Sequence, residues 1–571
     1  MVHDAASPGA QAEIQSTRTA PEAWITRLDA PLQGAASGPL AGLLFAAKDN
    51  IDVAGVPTTA GCPTFARTPG VHAAVVQRLL DAGASLLGKT NLDQFACGLN
   101  GTRSPYGAVP NSFDARYVSG GSSSGSAYVV ATGQADFSLG TDTAGSGRVP
   151  AGLNNIVGLK PSRGLLSARG VVPAAQSVDC VSIFARTVGV AARVLEAAMG
   201  FDVEDPYSRR LPLSAEHLPA RFRFGVPAEP NFFGDALSAS AYEQAIAQMC
   251  ALGGTPVAID YAPLAEAAAL LYDSALVAER YAALREFFDA HEAEVVEPVR
   301  GIIAQGRRYS AADYVDARTR LQALGQRAER MWEDIDLLVV PTAPSHWTID
   351  EMRAAPVELN RRLGEYTNFV NLLDYAAISV PASIRSDGLP FGITLIGRAG
   401  SDFQLAELGQ RFHHATGLTL GATGEPMPAP EVLPVVGPAS MPTTRVAVVG
   451  AHLSGMPLNS QLTERGARLL TATETAPLYR LYALPGTVPP KPGLVRVGPA
   501  EGAAIAVEVW EMPLEAYGSF VALIPTPLGI GSLLLADGGT VQGFICETVA
   551  VAGAKDISHH GGWRAFMATL A

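Results

Sequence analysis

The chain has 571 residues, of which 48% are hydrophobic and 17% charged, with a formal net charge of −13. That length exceeds one typical domain and points to two, and the apolar fraction suits a globular chain with large cores. The acidic balance excludes nucleic acid and anionic membrane surfaces as expected partners. Five cysteines (Cys62, Cys97, Cys180, Cys250 and Cys546) are scattered without metal-ligand spacing and read as reduced. With no secretory h-region at the start and no long apolar span, the expectation is a soluble, cytoplasmic protein.

Residues 1–37 form an Ala/Gln/Ser-rich segment. A short helix is expected over Pro21–Leu28, with little order in the first dozen residues. From Gly38 to about Gly200 short apolar strands alternate with helices. Examples are a helix over Ala73–Ala82, a strand over Ser85–Leu87, and a helix over Thr187–Met199 with Thr187 as its N-cap. This alternation predicts an α/β core around a largely buried sheet, with functional loops at strand ends. Within it, Leu43–Ala47 reads as a buried strand that delivers Lys48 to its C-terminal end. A lysine desolvated there can act as a neutral base; the competing reading pairs it with the adjacent Asp49.

Two Gly/Ser-rich loops, Ser119–Ala127 and Gly140–Pro150, flank the apolar run Tyr128–Leu139. Glycine lets such loops hold a serine in unusual backbone geometry. The interleaved apolar run and the fixed Asp142 and Arg148 disfavour a linker, and no Gly-Lys-Ser/Thr ending follows to make a phosphate cradle. The N–H groups of Thr143, Ala144 and Gly145, with that of Ser146, can converge on a developing oxyanion. Pro150 suits the first turn of a helix.

Further on, Arg221–Pro227 reads as a strand and Ser238–Leu252 as an amphipathic helix. Leu271–Leu284 lacks glycine and proline and is expected as one helix, with Tyr272 and Arg280 two turns apart on the same side. An arginine beside a tyrosine hydroxyl suits a grip on a substrate carboxylate. Spacing alone also fits a surface cluster of Arg280 with Glu279 or Glu286 and a core Tyr272. Residues 425–444 are Pro/Gly/Ala-rich and read as a semi-extended linker. Beyond it, strands at Arg445–Val449, Tyr479–Leu484, Ala503–Glu511, Phe520–Pro525 and Gly531–Leu535 predict a small, β-rich α+β domain over 445–571, barrel-like in form. Asp556–Trp563 is assigned to that fold rather than to a site.

Lys48, the loop Gly120–Ser123 and the segment Gly140–Ser146, in this order, resemble the amidase signature family, as do Gly88–Phe95 and Asp336–Thr342. The likeness covers roughly Ala41–Leu418. It implies a mixed twisted sheet covered by helices on both faces across 38–424, and a Ser–Ser–Lys triad with no cofactor and no metal. Ser146 maps to the nucleophile, Ser122, at a cis peptide bond, to the bridging serine, and Lys48 to the base. Neutral Lys48 then takes the Ser122 proton, Ser122 takes that of Ser146, and the relay runs backwards to protonate departing ammonia.

Gly98–Gly107, Thr143–Pro150, Tyr366–Asp374 and the Tyr272/Arg280 pair look like the allophanate hydrolase subfamily, in which the matching Tyr and Arg bind the carboxylate of allophanate. The domain over 445–571 is similar to that subfamily's C-terminal domain, itself like the γ-glutamylcyclotransferase fold. Cleaving the terminal amide of allophanate leaves N-carboxycarbamate, and His452 in a polar pocket is a candidate to speed its decarboxylation. The alternative is that His452 caps a turn and the domain builds an oligomer or complex. The resemblance implies hydrolysis of allophanate to ammonia and carbon dioxide in urea or triazine breakdown, a homodimer, and urea carboxylase as functional partner. The competing readings are the amidotransferase A subunit that feeds ammonia to misacylated tRNA, and a catalytically idle scaffold.

Overall fold

A computed structural model describes residues 20–214, 218–434 and 443–570. They fall into two units that divide between residues 434 and 443. The first 19 residues and linker positions 435–442 lie outside the described residues.

The first unit is built on one sheet of eleven strands: β1 (Trp24–Leu32), β2 (Leu44–Lys48), β3 (Ser85–Thr90), β4 (Phe137–Asp142), β5 (Val157–Lys160), β6 (Cys180–Ala185), β7 (Phe222–Pro227), β8 (Gly254–Ile259), β9 (Leu337–Pro341), β10 (Tyr375–Ile384) and β11 (Pro390–Arg398). Their spatial order is β1-β3-β2-β4-β6-β5-β10-β11-β9-β7-β8. The runs β3-β2-β4 and β9-β7-β8 are parallel, and the remaining pairings are antiparallel.

Alternate residues of a strand face opposite sides, and here both sides are covered. Leu337 and Val339 join one core with Phe45, Phe137 and Ile183, while Leu338 and Val340 join another with Tyr375 and Ile396. The helices Ala74–Asp81, Val188–Ala198 and Asp402–Ala415 supply Leu79, Val194 and Phe412 to the first core. Ala262–Asp273 and Ala311–Glu329 supply Leu264, Leu271 and Leu321 to the second. This explains why β4, β6 and β9 are buried along their whole length and why β9 reads as a continuous apolar run.

Two expected helices are corrected. Pro21–Leu28 forms a single 3₁₀ turn, Pro21–Ala23, and then enters β1, antiparallel to β3. The Asn91 backbone N–H donates to Ala23 O (2.9 Å) and its side-chain amide to Glu22 O (2.8 Å), so sheet-edge pairing overrides the local helical signal. Leu271–Leu284 is not one helix either. Ser274 is extended and accepts from the Leu276 N–H, which ends Ala262–Asp273; a 3₁₀ turn, Ala275–Val277, leads into a second helix, Ala278–His291. A serine offering its own hydroxyl as a cap competes with helix continuation.

The second unit holds β12 (Thr443–Val448), β13 (Arg468–Glu474), β14 (Tyr479–Ala483), β15 (Pro492–Arg496), β16 (Ala506–Pro513), β17 (Leu528–Leu534), β18 (Thr540–Cys546) and β19 (Lys555–Asp556). They form two sheets, β13-β16-β12-β18-β17 and β15-β14-β19, and neither order closes into a barrel. Phe520–Pro525, expected as a strand, instead contains the end of the helix Leu514–Val521, with Phe520 buried in the core beside Trp510, Phe544 and Trp563. Among the described residues no helix is long and apolar enough to cross a membrane.

The Phe45 and Phe137 rings stack across β2 and β4 with centroids 5.2 Å apart, both fully buried. Phe137→Ala should therefore cost about 3–5 kcal/mol of stability, read as a lowered denaturation midpoint. An unchanged midpoint would mean that this part of the sheet does not govern unfolding of the first unit.

Candidate active site

The parallel strands β3, β2 and β4 end together, and their C-terminal ends carry Thr90, Lys48 and Thr141–Asp142. Lys48 is fully buried and its side-chain nitrogen donates to Ser122 Oγ and Thr141 Oγ1, both at 2.7 Å. The reading that pairs Lys48 with Asp49 fails. Asp49 instead meets Lys89 at 3.2 Å, with both side chains fully buried, and accepts from the Thr59 N–H at 2.8 Å. Burial pushes Lys48 down to about 7, against the pull of Asp93, Asp179 and Asp142. It is therefore poised between base and conjugate acid near neutral pH.

Ser122 follows a cis Gly121–Ser122 peptide bond. The Asp93 N–H donates to the Ser122 carbonyl (3.0 Å), while the Asp93 carboxylate accepts from the N–H groups of Asn100, Gly101 and Arg103 at 3.2, 3.1 and 2.9 Å. A Cβ on Gly121 would lie 2.2 Å from Asp93 Oδ2 and 2.6 Å from the Gly101 nitrogen, so only glycine fits there. Asp93 thus fastens two loops, Gly98–Arg103 and Gly120–Ser123, in one place.

Ser146 lies in the turn between β4 and the short helix Val149–Leu153, where Pro150 occupies the first turn. Its hydroxyl donates to the Gly98 carbonyl at 3.3 Å. The turn is wrapped around Asp142. This carboxylate accepts from the Gly145 and Gly147 N–H groups (2.8 and 2.9 Å) and pairs with Arg148 at 2.9 Å, both side chains fully buried. Burial pushes Asp142 up, but Arg148 and the further Lys160 charge outweigh it and hold the carboxyl below its ordinary range.

Gly145 departs from expectation. Its N–H is committed to Asp142 rather than free for an oxyanion. The residue has φ +127°, and a Cβ there would meet Thr367 Oγ1 at 2.3 Å, so it serves close approach instead. The N–H groups of Thr143, Ala144 and Ser146 have no protein acceptor among the described residues. Behind the turn, Thr367 Oγ1 donates to Ala144 O (2.7 Å), Asn371 donates to Asp142 O (2.7 Å), and Arg148 donates to Thr367 O (3.2 Å) and Asn371 Oδ1 (3.1 Å). The segment Tyr366–Asp374 therefore braces the Ser146 turn. The resemblance points to the polar residues of Tyr366–Asp374 without telling them apart, and the Thr141 contact to Lys48 carries no spacing signal at all.

Tyr272 and Arg280 come together across the helix break: an Arg280 Nη2 hydrogen donates to the Tyr272 hydroxyl at 3.2 Å, with the guanidinium 5.1 Å from the ring centroid. The expected juxtaposition is present, but two helices make it instead of one. Glu279 points elsewhere, accepting from Ser177 N–H (3.1 Å), Ser177 Oγ (2.7 Å) and Tyr314 Oη (2.8 Å), so the surface-cluster reading fails. Arg280 is 3% exposed, and its Nε and Nη1 have no partner among the described residues. Buried donors left unpaired mark a place for an acceptor that is not protein. Tyr272 also lines a cavity of about 250 Å³ with Arg103, Asn360 and Asn368; none of Lys48, Ser122 and Ser146 lines it.

In the second unit His452 lines a cavity of about 200 Å³ together with Gln461, Lys491 and Phe544. Its ring stacks on Phe544 at 5.0 Å, and Nε2 lies 2.9 Å from Gln461 Oε1. Burial lowers its pKa despite the Gln461 contact.

A serine on a glycine-rich turn, a second serine after a cis bond and a desolvated lysine at the end of a parallel strand define a serine amidohydrolase architecture. Residues 4–406 match the amidase family, and the chain belongs to that family. Residues 444–568 match the allophanate hydrolase C-terminal domain. Among solved structures the chain is similar to Kluyveromyces lactis allophanate hydrolase, with 41% identity and a TM-score of 0.79 over 99% of this chain and 96% of that one. The urea amidolyase of Saccharomyces cerevisiae is 44% identical over 93% of this chain and 30% of that protein. That of Lachancea kluyveri is 43% identical over 97% and 32%. The chain thus spans about a third of the length of these two relatives. The A subunit of the glutamyl-tRNA(Gln) amidotransferase of Halobacterium salinarum is 35% identical over 66% of this chain and 95% of that one.

Asp142→Asn leaves Arg148 buried without its counter-charge. The variant should lose about 3–5 kcal/mol of stability and most activity. A wild-type denaturation midpoint for Asp142→Asn would mean that the buried pair does not hold the Ser146 turn together.

Proposed function

We propose that the chain hydrolyses allophanate to ammonia and carbon dioxide by a Ser–Ser–Lys acyl-enzyme mechanism. The observation that carries the choice of substrate is the buried, under-partnered Arg280 beside the Tyr272 hydroxyl. A buried guanidinium with Nε and Nη1 still to be satisfied suits a carboxylate acceptor, and allophanate carries one beside its amide.

In the proposed reaction neutral Lys48 takes the Ser122 proton, Ser122 takes the Ser146 proton, and Ser146 Oγ bonds to the terminal carbonyl carbon. The N–H groups of Thr143, Ala144 and Ser146 receive the oxyanion. Collapse breaks the C–N bond as the relay returns a proton to the departing ammonia. Water then cleaves the acyl-enzyme and releases N-carboxycarbamate. This loses carbon dioxide to leave carbamate, which separates into ammonia and a second carbon dioxide. We assign help with the decarboxylation to the second unit, through His452 in its cavity. The likeness to urea amidolyases supports a role in urea breakdown, with urea carboxylase as functional partner. A homodimer in the cytoplasm completes the reading.

Ammonia release should be measured from allophanate, malonamate, biuret and glutamine. Wild type should prefer allophanate, Ser146→Ala should be inactive, and Arg280→Ala should raise KM for the carboxylate-bearing substrates about 10–100-fold. Preference for glutamine or a neutral amide, with little effect of Arg280→Ala, would overturn the substrate assignment. A second check is pH. The base is the unprotonated lysine, so kcat/KM should climb with pH and level off above about 7, following Lys48. Lys48→Met should abolish turnover at every pH; residual activity with the same rising limb would exclude Lys48 as the titrating base.

A further inference from the structure

Asp179, between the Gly170 turn and β6, stands outside the triad and the clamp, yet it touches the loops that carry both. Its carboxylate accepts from Thr143 Oγ1 at 2.6 Å, from the Ala174 N–H at 2.7 Å and from the Ala175 N–H at 3.1 Å. Thr143 is the first of the residues whose free N–H groups precede Ser146. Two residues before Asp179, Ser177 donates through N–H and Oγ to Glu279, the residue preceding Arg280. One short loop, Ala174–Asp179, is therefore bonded at one point to the nucleophile turn and at another to the helix carrying the clamp.

We propose that Asp179 is a positioning residue that holds Thr143 by its hydroxyl, so that the Thr143 N–H is aimed where the oxyanion forms, at a distance from Arg280 set by the Ala174–Asp179 loop. This rests on the acyl-transfer reading above. The turn around Ser146 has its other anchors on one side: Asp142 from within, and Thr367 and Asn371 from behind. Among the described residues the Thr143 hydroxyl bonds to Asp179 alone, so without that carboxylate the Thr143 side chain is free to rotate and the peptide before it is held only through the Asp142 carbonyl, by Asn371. Burial pushes the Asp179 carboxyl up to about 6 against the hydrogen bond from Thr143 and the nearby Arg280 charge, which keeps it chiefly ionised, and a strong acceptor, at neutral pH. An N–H that must meet charge developing only in the transition state affects kcat rather than substrate affinity.

The test is a double-mutant cycle of Asp179→Asn and Thr143→Val, with Thr143→Ser as the conservative variant. Each single change should lower kcat about 10–100-fold with KM held within about threefold. The double variant should be no worse than the poorer single one, because both remove one interaction. Thr143→Ser, which keeps the hydroxyl, should retain nearly wild-type kcat. Multiplied losses in the double variant, or a loss carried by KM, would overturn the assignment. Asp179→Asn also weakens two backbone contacts; should it fail to fold, Thr143→Val decides alone, since wild-type kcat there sinks the proposal. Failure of the substrate reading would show separately, as wild type inactive on allophanate, and the cycle would then be run on whichever amide wild type cleaves.

Discussion

A lysine ammonium taken out of water without a counter-charge is among the costliest arrangements a protein interior can hold. The first unit is arranged so that Lys48 meets this condition. Asp93, Asp179 and Asp142 lie near enough to pull on it, and each is engaged elsewhere. Asp93 is taken by three backbone N–H groups, Asp179 by Thr143 and two backbone N–H groups, and Asp142 by Arg148 and two backbone N–H groups. The adjacent Asp49 is taken by Lys89 and Thr59. What remains for Lys48 is two hydroxyls. Hydroxyls satisfy a neutral amine as readily as an ammonium, so burial lowers the pKa with no carboxylate bonded to the amine to offset it fully.

The same pairings explain why the sheet must be wide and mixed. Lys48 and Asp142 come from neighbouring parallel strands, which sets them at one edge of the sheet. Arg148, leaving that edge, is gripped by Thr367 and Asn371 from the helix Asn368–Leu372 and the turn before it, more than 200 residues later in the chain. That helix leads into β10, which pairs with β5 and so returns to the strands nearest the site. Sheet order and site geometry are thus one constraint: moving β10 elsewhere in the order would leave Arg148 half unpaired in the interior.

Elements whose signal is local are legible in the sequence. The buried strand before Lys48, the Thr187 cap and the serine loops depend on short-range apolar runs, hydroxyl caps and glycine. Sequence reading fails where a distant partner decides. Trp24–Leu32 follows a proline that suits a helix, but β3 offers an unpaired edge. Phe520 looks like strand sequence, yet the core of the second unit takes it from a helix. Tyr272 and Arg280 do meet, though not through helical spacing. Ser274, between them, breaks the helix and lets the two side chains turn toward each other. Gly145 shows the limit at a site. A donor count along the chain cannot tell which N–H is already used, and Asp142 claims that one.

On the proposed reading, the pairing of Arg280 with Tyr272 is what separates this chain from an amidase for neutral substrates. An arginine that is buried with Nε and Nη1 unpartnered carries a penalty that only an acceptor that stays relieves. A carboxylate relieves more of it than a neutral amide does, and the difference is larger in a water-poor pocket than in solvent. Selectivity then depends on length as well as charge. The helix bearing Arg280 is bonded to the Ala174–Asp179 loop through Glu279, and that loop is bonded to the Ser146 turn through Thr143. A substrate has to span the distance this strut leaves between guanidinium and nucleophile. Glutamine carries its carboxylate two bonds farther from its amide than allophanate does, so on the proposed reading a clamp and a nucleophile spaced for allophanate do not engage both of its ends at once.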